Sequence, residues 1–155
     1  MLLEEIVASK LKLQKKTIAI AESCTGGLLS HRLTNIPGSS RYLKFGLIAY
    51  SYDAKTKFLK VSKATLKKFG AVSQPVALSM AGEVRKVLNT DFGIGITGIA
   101  GPGGGTKTKS IGLTYIAVCS RNKAAISRSV FTGNRLSIKT KATTKALKML
   151  LEFLQ

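Results

Sequence analysis

Two glycine-rich stretches, several hydroxyls and a scatter of lysines are the groups in this chain whose types and spacing can do chemistry. Residues 97–105 read Thr-Gly-Ile-Ala-Gly-Pro-Gly-Gly-Gly, directly after the apolar run 92–96. A loop so poor in side chains is made of backbone. Glycine lets a ligand approach the main chain closely, and concave sets of N–H groups hold anions. The loop leaves through Lys107 and Lys109. It is neither a dinucleotide fingerprint nor a Walker A loop, because 111–119 reads as a strand rather than a helix. The alternative reading is a flexible hairpin or linker, but the order strand, Thr-Gly, glycine-rich loop, lysine exit, strand favours a built site. The second stretch, Glu22-Ser-Cys-Thr-Gly-Gly27, joins a short apolar run to a helical pattern. Its hydroxyls, Ser23 or Thr25, are expected to cap that helix and leave its N–H groups for an anion.

What is missing narrows the chemistry further. His31 is the only histidine, within a helical segment, and reads as structural. The seven acids form no close pair, so a carboxylate couple arises only through folding. Neither a zinc site nor a disulfide framework is indicated by one histidine and two distant cysteines, Cys24 and Cys119. Hydrolysis would therefore fall to a Ser or Thr activated by Lys or Tyr. Residue type alone leaves the choice open. Ser39 and Ser40 read also as turn residues, Lys55 as one lysine among many, and Tyr50 as a ring ending a strand. Ser23 is a rival nucleophile, in a turn where a helix dipole favours a developing anion. Cys24 reads as a small packing residue.

The elements that must position these groups follow from periodicity. Helical spacing covers 2–13, 28–33, 54–59, 63–69, a segment opened by Ser73 and Pro75, and a last helix capped by Asn134. Apolar strands cover 17–21, 45–50 and 92–96, and 111–119 pairs with 124–131 as a hairpin. The order predicts an α/β (α+β) fold, a three-layer-like sandwich with a mixed β-sheet covered by helices. The loops 22–27, 50–55 and 97–109 each follow a strand, so one site outside the strand ends is expected. The 155 residues predict a single domain, 1–155.

Charge is the unusual bulk property: 25 basic residues face seven acidic ones, for a net +18. Such a field attracts anions and predicts non-specific nucleic-acid binding at low salt. The cations are dispersed and the chain has no Trp, which disfavours a stacking platform for bases. No apolar run spans a bilayer and the N-terminus is no signal peptide, so no membrane association and a cytoplasmic location are expected.

The segments Ala21-Glu-Ser-Cys-Thr-Gly-Gly27, Pro37-Gly-Ser-Ser40, Ala49-Tyr-Ser51 with Lys55, Gly70-Ala-Val-Ser73 and Thr97-Gly-Ile-Ala-Gly-Pro102 occur in one order. Together they closely resemble the CinA C-terminal domain family, the nicotinamide mononucleotide deamidases also called PncC, over about residues 4–154. The resemblance implies the stand-alone form and hydrolysis of the carboxamide of nicotinamide mononucleotide to nicotinate mononucleotide and ammonia. It implies serine–lysine catalysis with no metal or cofactor, and a homodimer or higher homo-oligomer. Carried onto this chain, it implies Ser40 as nucleophile and Lys55 as general base, with Tyr50 orienting the proton. Substrate would be held by Ser23, Thr25, Gly26, Thr97, Gly98, Ala100 and Gly101, with Arg135 on the phosphate or ribose end. The chain departs from the family pattern at Ser110, where proline is usual, at Lys139, where a second arginine is common, and at Tyr52, where asparagine is usual. The competing class is a nucleotide- or nucleic-acid-binding protein without turnover, linked to competence or DNA damage response. Its motive is the charge.

Overall fold

Alternation along β1 and β3 decides which helices lie on which face of the sheet. The computed structural model describes residues 1–155. Its elements are α1 (Leu3–Leu13), β1 (Ile18–Glu22), α2 (Leu28–Thr34), a single 3-10 turn (Ser39–Arg41), β2 (Leu43–Ile48), α3 (Tyr52–Leu59), α4 (Lys63–Phe69), α5 (Gln74–Val87), β3 (Phe92–Gly98), β4 (Leu113–Cys119), β5 (Ala124–Val130) and α6 (Arg135–Phe153). The five strands form one sheet in the order β2-β1-β3-β4-β5. β1 runs parallel to both β2 and β3, and β4 and β5 are antiparallel to their neighbours. The mixed α/β sheet predicted from the sequence is the one observed.

Successive side chains of a strand point to opposite faces. Ile18 and Ile20 of β1, with Ile94 and Ile96 of β3, pack into the core beneath α1, α2 and α6. Ala19 and Ala21 face α3, α4 and α5 instead. That second face is lined by small residues, which lets α5 lie directly on the sheet. A Cβ on Gly93 would sit 2.1 Å from the Ala81 carbonyl oxygen, and one on Gly95 would sit 2.5 Å from that of Ala77. Glycine at these two positions is required by backbone approach rather than by dihedral freedom.

Several local expectations shift. β2 ends at Ile48 instead of residue 50. Ala49 and Tyr50 lie beyond the strand, with the Ala49 N–H still donating to the Glu22 carbonyl. α3 begins at Tyr52 instead of residue 54, and Ser51 caps it by accepting from the Ala54 N–H at 3.0 Å. Ser73 stands at the N-cap of α5, but its hydroxyl donates to the Gly70 carbonyl at 2.8 Å. Asn134 caps α6 as expected, accepting from the Ser137 N–H at 2.9 Å. No helix is long and apolar enough to cross a membrane.

Candidate active site

The three loops expected to converge do so, at the carboxyl ends of β1 and β3. They line a cleft of about 250 Å³, which also takes in Ala71, Val72 and Arg135. Chain direction explains this: the parallel strands β1, β2 and β3 deliver their following loops to the same edge. The loop 99–112 is closed at its base by Ile99 N–H to the Leu113 carbonyl and Gly112 N–H to the Ile99 carbonyl. Lys109 ties the same loop to the Phe69 carbonyl.

Inside the cleft Lys55 Nζ donates to Ser23 Oγ at 2.9 Å and to the Ala49 carbonyl at 2.8 Å. Ser23 and Lys55 are 7% and 1% exposed. Burial pushes the Lys55 ammonium below the ordinary lysine value. Burial also pushes the neighbouring Cys24 thiol up to about 11, so the sulfur is held as a thiol at neutral pH.

The pairing of Ser40 with Lys55 expected from the resemblance is not formed. Ser40 is exposed on the 3-10 turn, and its carbonyl accepts from Lys44 Nζ at 2.7 Å. This turn precedes β2, whereas Lys55 follows it. Six residues at about 3.3 Å each separate the two ends of that strand by roughly 20 Å. Ser23, the rival hydroxyl, occupies the place beside the amine. Tyr50 does line the cleft, but its hydroxyl accepts from Arg135 Nη2 at 2.9 Å and makes no hydrogen bond to Lys55. The structure places this hydroxyl on Arg135 rather than on the amine.

Of the expected substrate-binding residues, Ser23, Thr97, Gly98, Ala100, Gly101 and Arg135 line the cleft. Thr97 Oγ1 donates to the Ala71 carbonyl at 2.8 Å and so fixes the opposite wall. Arg135 Nη1 donates to the Gly101 carbonyl at 2.6 Å. Thr25 is fully buried and turned away from the cleft residues, with its hydroxyl on Glu22. Gly26 is exposed, and a Cβ there would lie 3.7 Å from Lys139 Nζ, so the lysine that departs from the family pattern sits over this turn.

The expected cap and anion site at α2 are corrected as well. Its N-cap is Gly27, with φ 99° and no side-chain cap. The Glu22 carboxylate instead accepts from the Leu29 and Ser30 N–H groups at 2.9 and 3.1 Å. An internal carboxylate thus fills the place where an external anion was expected. Sequence reasoning missed Glu22, although its position beside Ser23 at the end of a buried strand was a readable signal. No group of three or more His, Cys, Asp or Glu gathers as a metal cluster. A larger depression of about 330 Å³ lies at the other end of the sheet, lined by Lys16, Arg85, Asp91 and Arg121 among others. It contains no amine bonded to a hydroxyl.

The structure thus holds a buried hydroxyl–amine pair in a cleft at the carboxyl ends of an open, helix-covered α/β sheet. A family model, the CinA C-terminal domain, matches residues 2–154. The chain belongs to that family. It is 50% identical over 148 residues to a protein of Moorella thermoacetica named as competence-damage inducible, covering 96% of this chain and 36% of the relative. It is 46% identical to a CinA-like protein of Kosmotoga olearia, covering 94% of this chain and 35% of that one. The chain thus spans about a third of the length of these curated relatives. Among solved structures, the competence/damage inducible protein CihA of Agrobacterium tumefaciens superposes with a TM-score of 0.96 at 36% identity, covering 99% of this chain and 94% of that one. A competence or damage-inducible protein of Enterobacter asburiae gives 0.94 at 33%, covering 99% and 96%.

Proposed function

We propose that this chain is a serine–lysine amidohydrolase that converts nicotinamide mononucleotide to nicotinate mononucleotide and ammonia, with Ser23 rather than Ser40 as nucleophile. The observation that carries the reading is the 2.9 Å contact between Lys55 Nζ and Ser23 Oγ. The carboxamide and the nucleotide come from the family resemblance, and the anionic end suits the guanidinium at the cleft mouth.

In the reactive form Lys55 is neutral and accepts the Ser23 proton while still donating to the Ala49 carbonyl. Ser23 Oγ bonds to the carboxamide carbon, and the carbonyl electron pair moves onto oxygen. On collapse the C–N bond breaks, and the Lys55 ammonium returns its proton to the departing nitrogen, which leaves as ammonia. Water then attacks the acyl-serine, Lys55 takes the water proton, and the C–O bond to Ser23 breaks. Lys55 returns that proton to Ser23, and the carboxylic acid product releases its own proton to solvent to become the carboxylate. Arg135 has two of its five N–H donors on Gly101 and Tyr50, which leaves the others for the phosphate.

The test is ammonia release from nicotinamide mononucleotide by purified protein in chelator, beside Ser23→Ala and Ser40→Ala. Activity lost only with Ser23 is the expected result. A folded but silent wild type, or loss with Ser40 alone, overturns the reading.

A further inference from the structure

One carboxylate in this basic chain is fully withdrawn from water, and it adjoins Ser23. Glu22 is 1% exposed. Four donors surround its oxygens. Thr25 Oγ1 and the Leu29 N–H reach Oε1 at 2.7 and 2.9 Å, and the Ser30 N–H and Oγ reach Oε2 at 3.1 and 2.8 Å. A buried charge is tolerated only when its lone pairs are this fully met. Thr25 lies within the turn and Leu29 and Ser30 lie in α2, so the carboxylate clamps one to the other.

Strand alternation gives the clamp its effect on the cleft. Glu22 follows Ile18 and Ile20 onto the α2 side, whereas Ser23 follows Ala19 and Ala21 onto the Lys55 side. The main chain between them is pinned as well. The Ala49 N–H donates to the Glu22 carbonyl at 2.8 Å, and the Ser23 N–H donates to the Ile96 carbonyl at 3.0 Å. Beyond Ser23 the turn keeps its own bond, Gly26 N–H to the Ser23 carbonyl.

We infer that Glu22 is the positioning residue of this cleft: its carboxylate holds the 23–27 turn so that Ser23 Oγ stays on Lys55. The inference rests on Ser23 being the nucleophile. The helix terminus itself takes no ligand, because Glu22 occupies it.

The experiment uses a fluorophosphonate probe, which needs an activated serine but not the natural substrate. Ser23 Oγ bonds to phosphorus, fluoride leaves, and the serine proton passes to Lys55. Labelling rates are measured for wild type, Glu22→Gln, Thr25→Val and Ser30→Ala, with Tm for each and the labelled residue mapped by peptide mass. Thr25→Val and Ser30→Ala each remove a clamp hydroxyl and remain testable if Glu22→Gln does not fold. We expect wild type to label at Ser23, and Thr25→Val to label at least about tenfold more slowly while still folded. We expect kcat on nicotinamide mononucleotide to fall with it at nearly constant KM, and calorimetric affinity for nicotinate mononucleotide to hold. Folded variants that label at the wild-type rate overturn the inference and leave the nucleophile in place. Product affinity that falls in step with labelling also overturns it, by showing that the turn only shapes the pocket. Wild type unlabelled at Ser23 overturns the nucleophile, and the inference with it.

Discussion

Ser23 and Lys55 are 32 residues apart in sequence and share a buried hydrogen bond of 2.9 Å. One follows β1 and the other sits in α3, and parallel pairing of β1 with β2 brings both to the same sheet edge. The pair predicts a sharp contrast between serines. Ser23→Ala should lower kcat by at least about a thousandfold, since the nucleophile acts as a unit with its base. Ser40→Ala should stay within about twofold of wild type, as exposed substitutions away from a site usually do. Steady-state ammonia release separates the two.

The pH profile should report Lys55. Its ammonium is pushed down by burial from the ordinary lysine value of 10.5. The base works only when neutral, so kcat/KM should rise with pH through Lys55's lowered value and level off above it. Loss of this limb in the residual activity of Lys55→Ala is the expected check. A limb at or above the ordinary lysine value would contradict the assignment.

Arg135 and Tyr50 should divide binding from chemistry. The guanidinium bridges the Gly101 carbonyl and the Tyr50 hydroxyl across the mouth. Arg135→Ala should raise KM by roughly tenfold or more, the worth of a charge-assisted hydrogen bond, while kcat changes less. Tyr50→Phe loses only the hydroxyl that receives Arg135 and should raise KM by a smaller factor. Measuring KM across a salt series tests the charge, because added salt should weaken binding in wild type more than in Arg135→Ala.

The close seat of α5 on β3 predicts opposite signs for two glycine substitutions. Gly95→Ala drives a Cβ to 2.5 Å from the Ala77 carbonyl oxygen and 2.7 Å from the Ala81 nitrogen. It should cost at least about 3 kcal/mol, lowering Tm by roughly 10 °C. Gly82, inside α5, has nothing within 4 Å of its would-be Cβ. Gly82→Ala should stabilise by about 0.5–1 kcal/mol. Thermal melts of the two variants check both signs.

Acid should release the tie between α1, α2 and α6. Arg32 reaches Glu4 at 2.8 Å and the Thr143 and Thr144 hydroxyls at 2.9 and 2.8 Å. The guanidinium hydrogen bond holds the Glu4 carboxyl below the usual carboxylate range. A depressed folded value means the contribution is complete above the unfolded pKa and is lost as pH falls through the folded one. Stability should therefore decline on acidification, and Glu4→Gln should flatten that part of the curve in urea melts at successive pH values.

The order of elements was legible because period and punctuation are local. Ile18 and Ile20 against Ala19 and Ala21, the Pro75 turn and the Asn134 cap are each written within a few residues. The cleft loops were legible for the same reason, since each glycine-rich or polar stretch directly follows an apolar strand. The partner of Lys55 was not. Ser23 and Ser40 both sit in turns rich in glycine and hydroxyls, and their types do not tell them apart.

What decided between them is strand direction and register. The residues before β2 and after it lie at opposite ends of a six-residue strand, so Ser40 and Lys55 are held apart however close they stand in sequence. The register that pairs Glu22 with Ile48 and Ile96 sets the end of β1 between two neighbours. Glu22 is thereby buried against α2 and Ser23 delivered to the amine. Sequence by itself determined the elements and the chemistry available, because these follow from residue type and local spacing. Tertiary structure alone decided which hydroxyl meets the lysine and which charge fills the α2 terminus, because both depend on chain segments brought together by sheet pairing.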